Sequence, residues 1–325
     1  MIEIRQLKPG EKITEPGFYN IPLHVHHNQP CDGVSVTSGV LRGMDPDLGS
    51  PADVWAFHKL NPDGRKKPAS RAMHQGAAMA ALIAGGGTEL QRQFFVADKK
   101  VPRRPSEQQW DQYHRGRLFQ KTTLDACEYW EEVNNGDRPH LTYDDTMLLV
   151  DMAKVLQNDA AAMAAIAGLP EITMAAYDEQ TDLWLLSRPD TVDPDHAAMS
   201  DYKKISTRGE PFTARILDER ICRFGYDAQM GFAADVYSRL TGNWPENVGI
   251  IGQSDAYPYH VIPRALTEQQ LVEGMQMAQL SAKRFRQCLD SGHWPGPGED
   301  IGEYRRPDWR QKQIERQFER EGIQL

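Results

Sequence analysis

The amino-acid sequence predicts an α/β fold with a helical elaboration at its N-terminal side. Helical patterns dominate the first half of the 325 residues, three strand-like runs follow, and helices then alternate with strands. This order favours a single α/β domain, because such helices and strands pack as layers around one core. The length alone would also allow two domains. No internal repeat is visible.

The composition is that of a soluble globular protein with an acidic balance. Lys and Arg number 37 and Asp and Glu 46, a net charge of −9, which argues against a generally basic nucleic-acid coat protein but allows a local basic groove. The four cysteines form no C-x-x-C pair, so a structural zinc site is not expected. Isolated cysteines and the lack of an N-terminal signal pattern predict a cytoplasmic protein without a membrane segment.

In the first half, caps and turn residues mark the elements. Ser50 is a helix cap with Pro51 at the first helical position, and the glycines 85–87 are expected to end a helix. The expected elements are turns and short extended pieces over 1–30, helices over 35–44 (beginning near Ser35 or Thr37), from Ser50, and over 69–84, a strand over 94–96, a partly helical stretch over 103–117, a helix from Thr142 to about 158, and an Ala/Met-rich helix ending at Gly168.

In the second half, strand patterns and one capping box define the elements. Thr267 and Gln270 form the box, and Gly292 stops the same helix. The expected elements are strands over 171–177, 183–189 and 197–205 with a hairpin turn over 178–181, a helix over 225–240, strands over 248–254 and 259–262, a helix over 267–290, and a charged helix or tail over 310–321.

One segment of the second half carries the chemistry. Asp190 follows Arg188-Pro189, Asp201 comes eleven residues later, and Lys203 two residues after that. Residues i and i+2 of a strand project from one face, so Asp201 and Lys203 are expected to point together. Two carboxylates and one ammonium on one side of a small sheet are typical of phosphodiester hydrolysis.

The two aspartates are expected on paired antiparallel strands. The runs 183–186 and 198–200 read as those strands, and the polar run 191–196 as the turn between them. This pairing would let the two carboxylates share a metal ion.

Asp190 and Asp201 are the expected ligands of one or two Mg²⁺ ions, because Mg²⁺ binds carboxylate oxygens together with water and phosphate. Tyr202 could add its backbone carbonyl, and Glu171, at the start of the preceding strand, could be a third carboxylate. Taken alone, each aspartate or glutamate is more often an ordinary strand-end or turn residue. Their joint pattern favours the metal site.

Four further features extend this site. Lys203 is expected to orient the attacking water or to offset charge on the transition state, and Gln229 to hydrogen-bond a phosphate or a metal-bound water. His74 could be a metal ligand, although a lone histidine is more often structural or exposed. Basic clusters could line a phosphate track, although most such clusters are solvated surface; they are Arg65-Lys66-Lys67, Lys99-Lys100, Arg103-Arg104 and Arg115 with Arg117.

These residues resemble the PD-(D/E)XK nuclease superfamily, and most closely its RecE-type exodeoxyribonuclease VIII group. Asp201-Tyr202-Lys203 is similar to the D-x-K motif of that group. The other matching segments, in order, are 35–41, 50–52, 76–83, Glu171, 177–179, 184–190, 226–229 and 294–296. Two positions depart from the pattern: Ala80 stands where the group usually has a metal-binding histidine, and Ala233 where it has an aromatic residue.

The resemblance implies a restriction-endonuclease-like core, a central mixed sheet flanked by helices, in one nuclease domain over 1–300. The catalytic core would lie at about 165–265, with 301–325 as a charged C-terminal helix or tail. It also implies Mg²⁺-dependent hydrolysis of linear double-stranded DNA from a 5′ end, with Mn²⁺ expected to substitute. Relatives act in phage-type recombination, as homo-oligomeric rings beside a single-strand annealing protein.

Two alternatives stay open at the sequence level. Ala80 would fit a catalytically weakened DNA-binding subunit with a nuclease fold. A single-strand, nicking or RNA-directed nuclease would keep the fold and the chemistry but change the substrate.

Overall fold

The computed structural model describes residues 2–66, 69–97, 101–136, 138–207, 209–299 and 303–322. The first elements in chain order are β1 (Ile4–Arg5), β2 (Gly17–Tyr19), α1 (Leu23–His26), β3 (Ser35–Thr37), α2 (Ser38–Gly43), α3 (Pro51–Ala56), α4 (Arg71–Gln93), β4 (Phe95–Val96), α5 (Glu107–His114), α6 (Lys121–Asn135), β5 (His140–Leu141), α7 (Tyr143–Gln157) and α8 (Ala160–Ala165). Those that follow are β6 (Leu169–Pro170), β7 (Thr173–Asp178), β8 (Leu183–Ser187), β9 (Thr191–Asp193), β10 (Ala198–Ile205), α9 (Ala214–Phe224), α10 (Tyr226–Thr241), β11 (Asn247–Ser254), β12 (Val261–Ala265), α11 (Glu268–Ser291) and α12 (Asp308–Arg320).

Two mixed sheets of five strands each organise the fold. Their strand orders are β1-β2-β7-β8-β3 and β12-β11-β10-β9-β6. In the second sheet, β10 runs parallel to β11 on one side and antiparallel to β9 on the other. The mixed α/β class expected from the sequence is therefore confirmed, as is the antiparallel hairpin of β7 and β8.

The main core joins α10 and α11 to strands of both sheets. The two helices approach closely through small residues, because a Cβ at Gly231 of α10 would lie only 2.6 Å from the carbonyl oxygen of Leu271 and 2.7 Å from the backbone of Gly274. Close packing of this kind fixes the position of α10 relative to the sheets, and α10 carries Gln229.

Several predicted helix ends are confirmed. Ser50 caps α3 by accepting a hydrogen bond from the backbone N–H of Asp53. Thr142 caps α7 in the same way. α11 begins with the capping box of Thr267 and Gln270 and ends at Gly292 in the left-handed conformation.

The strand pairing expected around the two aspartates is wrong. The run 183–186 lies in β8 of the first sheet and 198–200 in β10 of the second. The antiparallel partner of β10 is β9, whose residues the sequence predicts to form a turn. β-branched residues favour strands, and the fully buried Val192 explains why a strand forms inside this polar run.

Other boundaries also differ from expectation. Residues 35–37 form β3, which pairs with β8, so the first expected helix begins only at Ser38. The non-helical dihedral angles of Gly85 and Gly86 interrupt α4, so its first segment ends at these glycines as expected, and a second helical segment that was not expected continues to Gln93. Gly225, at a φ of 61°, ends α9 and starts α10. Neither α6 nor α9 was expected.

The charged C-terminal helix is confirmed as α12, which buries none of its side chains. Within the described residues, no helix combines the length and the apolar character that a membrane crossing requires.

Candidate functional site

The β9–β10 pair brings the two predicted aspartates together. Thr191 is paired with Ser200, and continuing that antiparallel register places Asp190 opposite Asp201. Asp190 Oδ2 accepts a hydrogen bond of 2.6 Å from the backbone N–H of Tyr202. Asp201 is only 2 % exposed. The two aspartates therefore lie close together, although the strands that bring them together are not the predicted pair.

Lys203 lies on the same face of β10 as Asp201. Its ammonium forms an ion pair with Asp201 Oδ2 and lies 4.6 Å from the centre of the Tyr226 ring. Burial alone would lower the pKa of Lys203, but the nearby carboxylates of Asp201 and Asp190 outweigh burial and raise it. Lys203 is thus held in its charged form.

Gln229 reaches the same carboxylate from α10. Its Nε2 donates a hydrogen bond of 3.2 Å to Asp201 Oδ1. Its Oε1 is buried and has no hydrogen-bond partner among the described residues. An unpaired buried oxygen beside a carboxylate is a favourable position for a cation or a donor from a ligand.

Glu171 is held next to Asp190 through the backbone. It adopts a left-handed φ of 58°, and its N–H donates to the carbonyl oxygen of Asp190 at 3.0 Å. Arg188 fixes the side chain, donating from Nε to Glu171 Oε2 at 2.6 Å. The expected third carboxylate therefore shares a cleft with Asp190 and Asp201.

These side chains line one cleft of about 710 Å³. Three of its lining residues are the carboxylates just described. Six are basic, namely Arg42, Arg188, Lys203, Lys204, Arg220 and Arg223. The cleft is thus locally cationic although the chain carries a net charge of −9. A cationic cleft in an acidic chain attracts phosphate there and not over the whole surface.

The surroundings of Asp190 disfavour its charged form. Burial and then repulsion from Asp201, with a smaller contribution from Glu171, raise the pKa of Asp190 well above its usual value. Among the described residues, no three His, Cys, Asp or Glu side chains group closely enough to hold a metal ion by themselves. An ion bound by Asp190 and Asp201 would take its other ligands from backbone, water or phosphate, as Mg²⁺ usually does.

Ala80 and His74 lie on different faces of α4. Ala80 lies in the cleft wall, together with Met73, Gly76 and Ala77. These positions follow the i, i+3, i+4, i+7 spacing of one helix face. His74 is not among the cleft-lining residues, because it lies on another face of α4, so it does not take the place of a histidine at position 80.

Several residues that line the cleft are not predicted by the sequence. Arg220 and Arg223 lie on the unexpected α9, whose helical spacing of Ile216, Leu217 and Ile221 would have revealed it. Arg42, His26 and His27 also line the cleft, and no local pattern marks them. Burial, then the charges of His27 and Arg188, lower the pKa of His26 to about 3, so this buried imidazole is neutral.

Among the basic clusters, Arg65 and Lys66 line a second cavity of about 380 Å³, which shares His26 and His27 with the main cleft. Arg104 instead lies 5.0 Å from the ring centre of Trp130, and Arg115 pairs with Asp111. Lys67, Lys99 and Lys100 fall outside the described residues.

Comparison with known proteins finds similarity at the level of fold. No protein-family model matches the sequence, and no curated protein matches it. Among solved structures, one from Eubacterium rectale named "Putative exonuclease" superposes with a TM-score of 0.54 at 11 % identity, covering 90 % of this chain and 98 % of that one. A "phage related exonuclease" from Haemophilus somnus 129PT covers 59 % of this chain and 92 % of its own, with 14 % identity and a TM-score of 0.31. The chain therefore shares the fold of the first protein over almost its whole length.

Proposed function

We propose that this chain is a Mg²⁺-dependent DNA exonuclease that degrades linear double-stranded DNA in the 5′-to-3′ direction. The observation that carries the proposal is the facing pair Asp190 and Asp201 with Lys203 on the same strand face, inside a locally cationic cleft. The fold shared with a protein named as an exonuclease supports it.

Asp190 and Asp201 would hold the metal, with the Tyr202 carbonyl and Glu171 as further candidate ligands. When bound, Mg²⁺ would polarise the scissile phosphate and acidify the attacking water. Mn²⁺, which also binds oxygen ligands, is expected to substitute.

The chain's own residues have separate roles in the proposed reaction. Lys203 would position the attacking water and offset negative charge on the phosphate oxygens of the transition state. Gln229 holds Asp201 in place through Nε2 and offers Oε1 to the attacking water or the metal. Arg188 keeps Glu171 oriented towards the cleft.

The wider role follows the RecE-type resemblance. We propose action in phage-type recombination, as a homo-oligomeric ring beside a single-strand annealing protein. A cationic cleft in an acidic chain fits an enzyme that binds DNA only in that cleft and not over its whole surface.

The test is digestion of a linear duplex labelled at either 5′ end, compared with a covalently closed circle of the same sequence, in Mg²⁺ and in EDTA. Mg²⁺-dependent loss of the linear DNA with an intact circle is the expected result. Cleavage of the circle would replace the end-dependent activity with that of a nicking nuclease.

A second candidate is a DNA-binding subunit without catalysis. Ala80 favours it, because this apolar residue stands in the cleft wall where the resembling group has a metal-binding histidine. It predicts binding to DNA ends with no Mg²⁺-dependent product in the same experiment.

A further inference from the structure

Tyr257 is a highly exposed aromatic residue on the loop between β11 and β12. Its relative exposure is 86 %, and its ring meets that of Tyr259 edge-on, with 6.0 Å between the ring centres. A large amphipathic ring in this position offers one broad face to solvent. Such a ring binds another flat group at little entropic cost, since only two side-chain torsions are restricted.

The loop that carries Tyr257 is held by hydrogen bonds on both sides. The N–H of Tyr259 donates to the Ala256 carbonyl at 2.8 Å, and the N–H of Ser254 donates to the His260 carbonyl at 3.0 Å. Ser254 Oγ also accepts from the N–H of Ala256 at 3.1 Å. The ring is therefore presented by a fixed backbone.

The same loop is tied to the strand of the candidate site. Tyr202, between Asp201 and Lys203, donates from its hydroxyl to Gln253 Oε1 at 2.7 Å. The side chain of Gln253 in turn donates to the carbonyl of Tyr259 at 3.1 Å. Both partners of the first bond are buried. The position of the loop is therefore coupled to the position of β10.

The loop also lies beside the cationic cleft. β10 and β11 run parallel and end together, with Ile205 paired to Ser254. Lys204, a cleft residue, forms an ion pair of 2.9 Å with Asp255, two residues before Tyr257. The loop that carries Tyr257 thus begins at a residue that is paired with the wall of the cleft.

We infer that Tyr257 is a stacking platform for an unpaired nucleobase of the strand that the cleft binds. The inference rests on the proposed function and adds a substrate feature to it. Bases inside a duplex hide their faces in the stack, whereas an unpaired base exposes a face that an aromatic side chain can cover. Cationic residues that hold the backbone beside an aromatic ring are the usual combination for binding single strands.

The test is the affinity for a short fluorescent single-stranded oligonucleotide, measured by anisotropy in EDTA so that no cleavage occurs. Stacking of one base is worth roughly 1–3 kcal/mol, or about 5- to 150-fold in affinity. Tyr257→Ala should lose affinity in this range, and Tyr257→Phe should retain it. Tyr304→Ala is the matched control, because Tyr304 is 79 % exposed and lies in the C-terminal segment.

Oligonucleotides with one abasic position, moved along the strand, separate stacking from a general loss of binding. The wild-type protein should bind one of these abasic oligonucleotides more weakly than the intact strand. The Tyr257→Ala protein should bind that oligonucleotide and the intact strand with equal affinity. Equal affinities of wild type and Tyr257→Ala for the intact strand would overturn the platform and leave the proposed exonuclease standing. Absence of any DNA binding by wild type would overturn both.

Discussion

At the scale of single residues, Asp201 is the centre of the candidate site. It faces Asp190 across the β9–β10 pair, accepts from Gln229 and pairs with Lys203. It is also among the most buried charged residues of the described chain. A buried carboxylate is stable only with such partners. Changes to any partner should therefore affect both chemistry and stability.

Replacing Lys203 by Ala should reduce the rate of DNA cleavage by about 100- to 1,000-fold, the usual effect of removing one group that stabilises transition-state charge. The measurement is kcat on a linear duplex at saturating Mg²⁺, with thermal unfolding as a check of folding. Lys154→Ala is the control, because Lys154 is an exposed lysine of α7 that pairs with Asp151 and does not line the cleft. Unchanged cleavage by a folded Lys203→Ala protein would contradict the role given to this ammonium.

Asp190→Asn should stabilise the metal-free protein at pH 7. Burial and then the charge of Asp201 raise the pKa of Asp190 well above its usual value. A carboxyl with a higher pKa in the folded than in the unfolded chain binds its proton more tightly when folded, so its ionisation opposes folding as pH rises above the unfolded value.

The difference between Asp190→Asn and wild type should therefore shrink towards zero below about pH 4, where both states of the wild-type carboxyl are protonated. Urea unfolding in EDTA, at pH 7 and below about pH 4, measures this difference in the free energy of unfolding. Asp195→Asn, at an exposed turn position, should change stability little at either pH. A destabilised Asp190→Asn protein at pH 7 would show that this carboxylate is not strained by its neighbours.

At the scale of elements, the sequence predicts best those helices and strands that are marked by their own caps, glycines or side-chain alternation. The capping box and Gly292 mark the two ends of α11 in the sequence. The alternation of side chains between the two faces of β10 marks that strand. β9 was missed because its three residues lie within a polar run, and only pairing with β10 makes them a strand. The sequence predicts a helix over the residues of β3, because the partner strand β8 is far away in the sequence and local patterns do not reveal the pairing.

The α10–α11 contact gives an element-scale prediction. Gly231→Ala should destabilise the protein by about 1–3 kcal/mol, since its Cβ would meet the backbone of Leu271 and Gly274 at 2.6–2.7 Å and force the helices apart. Cleavage should also slow, because α10 carries Gln229.

The matched control for Gly231 is Gly76→Ala on α4, where an added Cβ meets no atom within 4 Å. Alanine is the better helix former by up to about 1 kcal/mol, so this change should leave stability equal or higher. Denaturant unfolding compares the two variants. Equal stability of both would show that the close approach of α10 and α11 can relax without cost.

At the scale of the whole molecule, the site is assembled from distant segments, and this limits what the sequence reveals. Asp190, Asp201 and Lys203 were predictable because their spacing alone is informative. Arg42 and Arg220 were not, since α2 and α9 meet at the cleft only after folding. The pairing of Arg42 with the Phe224 carbonyl, across most of the chain, is one such tertiary contact. Local sequence thus predicted which carboxylates lie together and missed Arg42, Arg220 and Arg223, half of the six basic residues of the cleft.

Because six basic residues lie in one cleft, the proposed DNA binding should depend on salt concentration, and replacing one of these residues should change that dependence. The affinity for duplex DNA should fall linearly with salt on logarithmic axes, with a slope of about −0.9 for each phosphate neutralised. Arg220→Gln should make this slope shallower by about one unit, because Arg220 lines the cleft. Anisotropy titrations in EDTA over a series of salt concentrations measure the slope.

Arg316→Gln tests whether the effect belongs to the cleft or to total charge. Arg316 lies on the exposed α12, and its replacement changes the net charge by the same amount as Arg220→Gln. The acidic remainder of the surface repels the DNA backbone, so the slope of the Arg316→Gln protein should equal that of wild type. If both variants made the slope shallower by the same amount, DNA would be held by charges spread over the molecule. The cleft could then not be the track that leads DNA to Asp190 and Asp201.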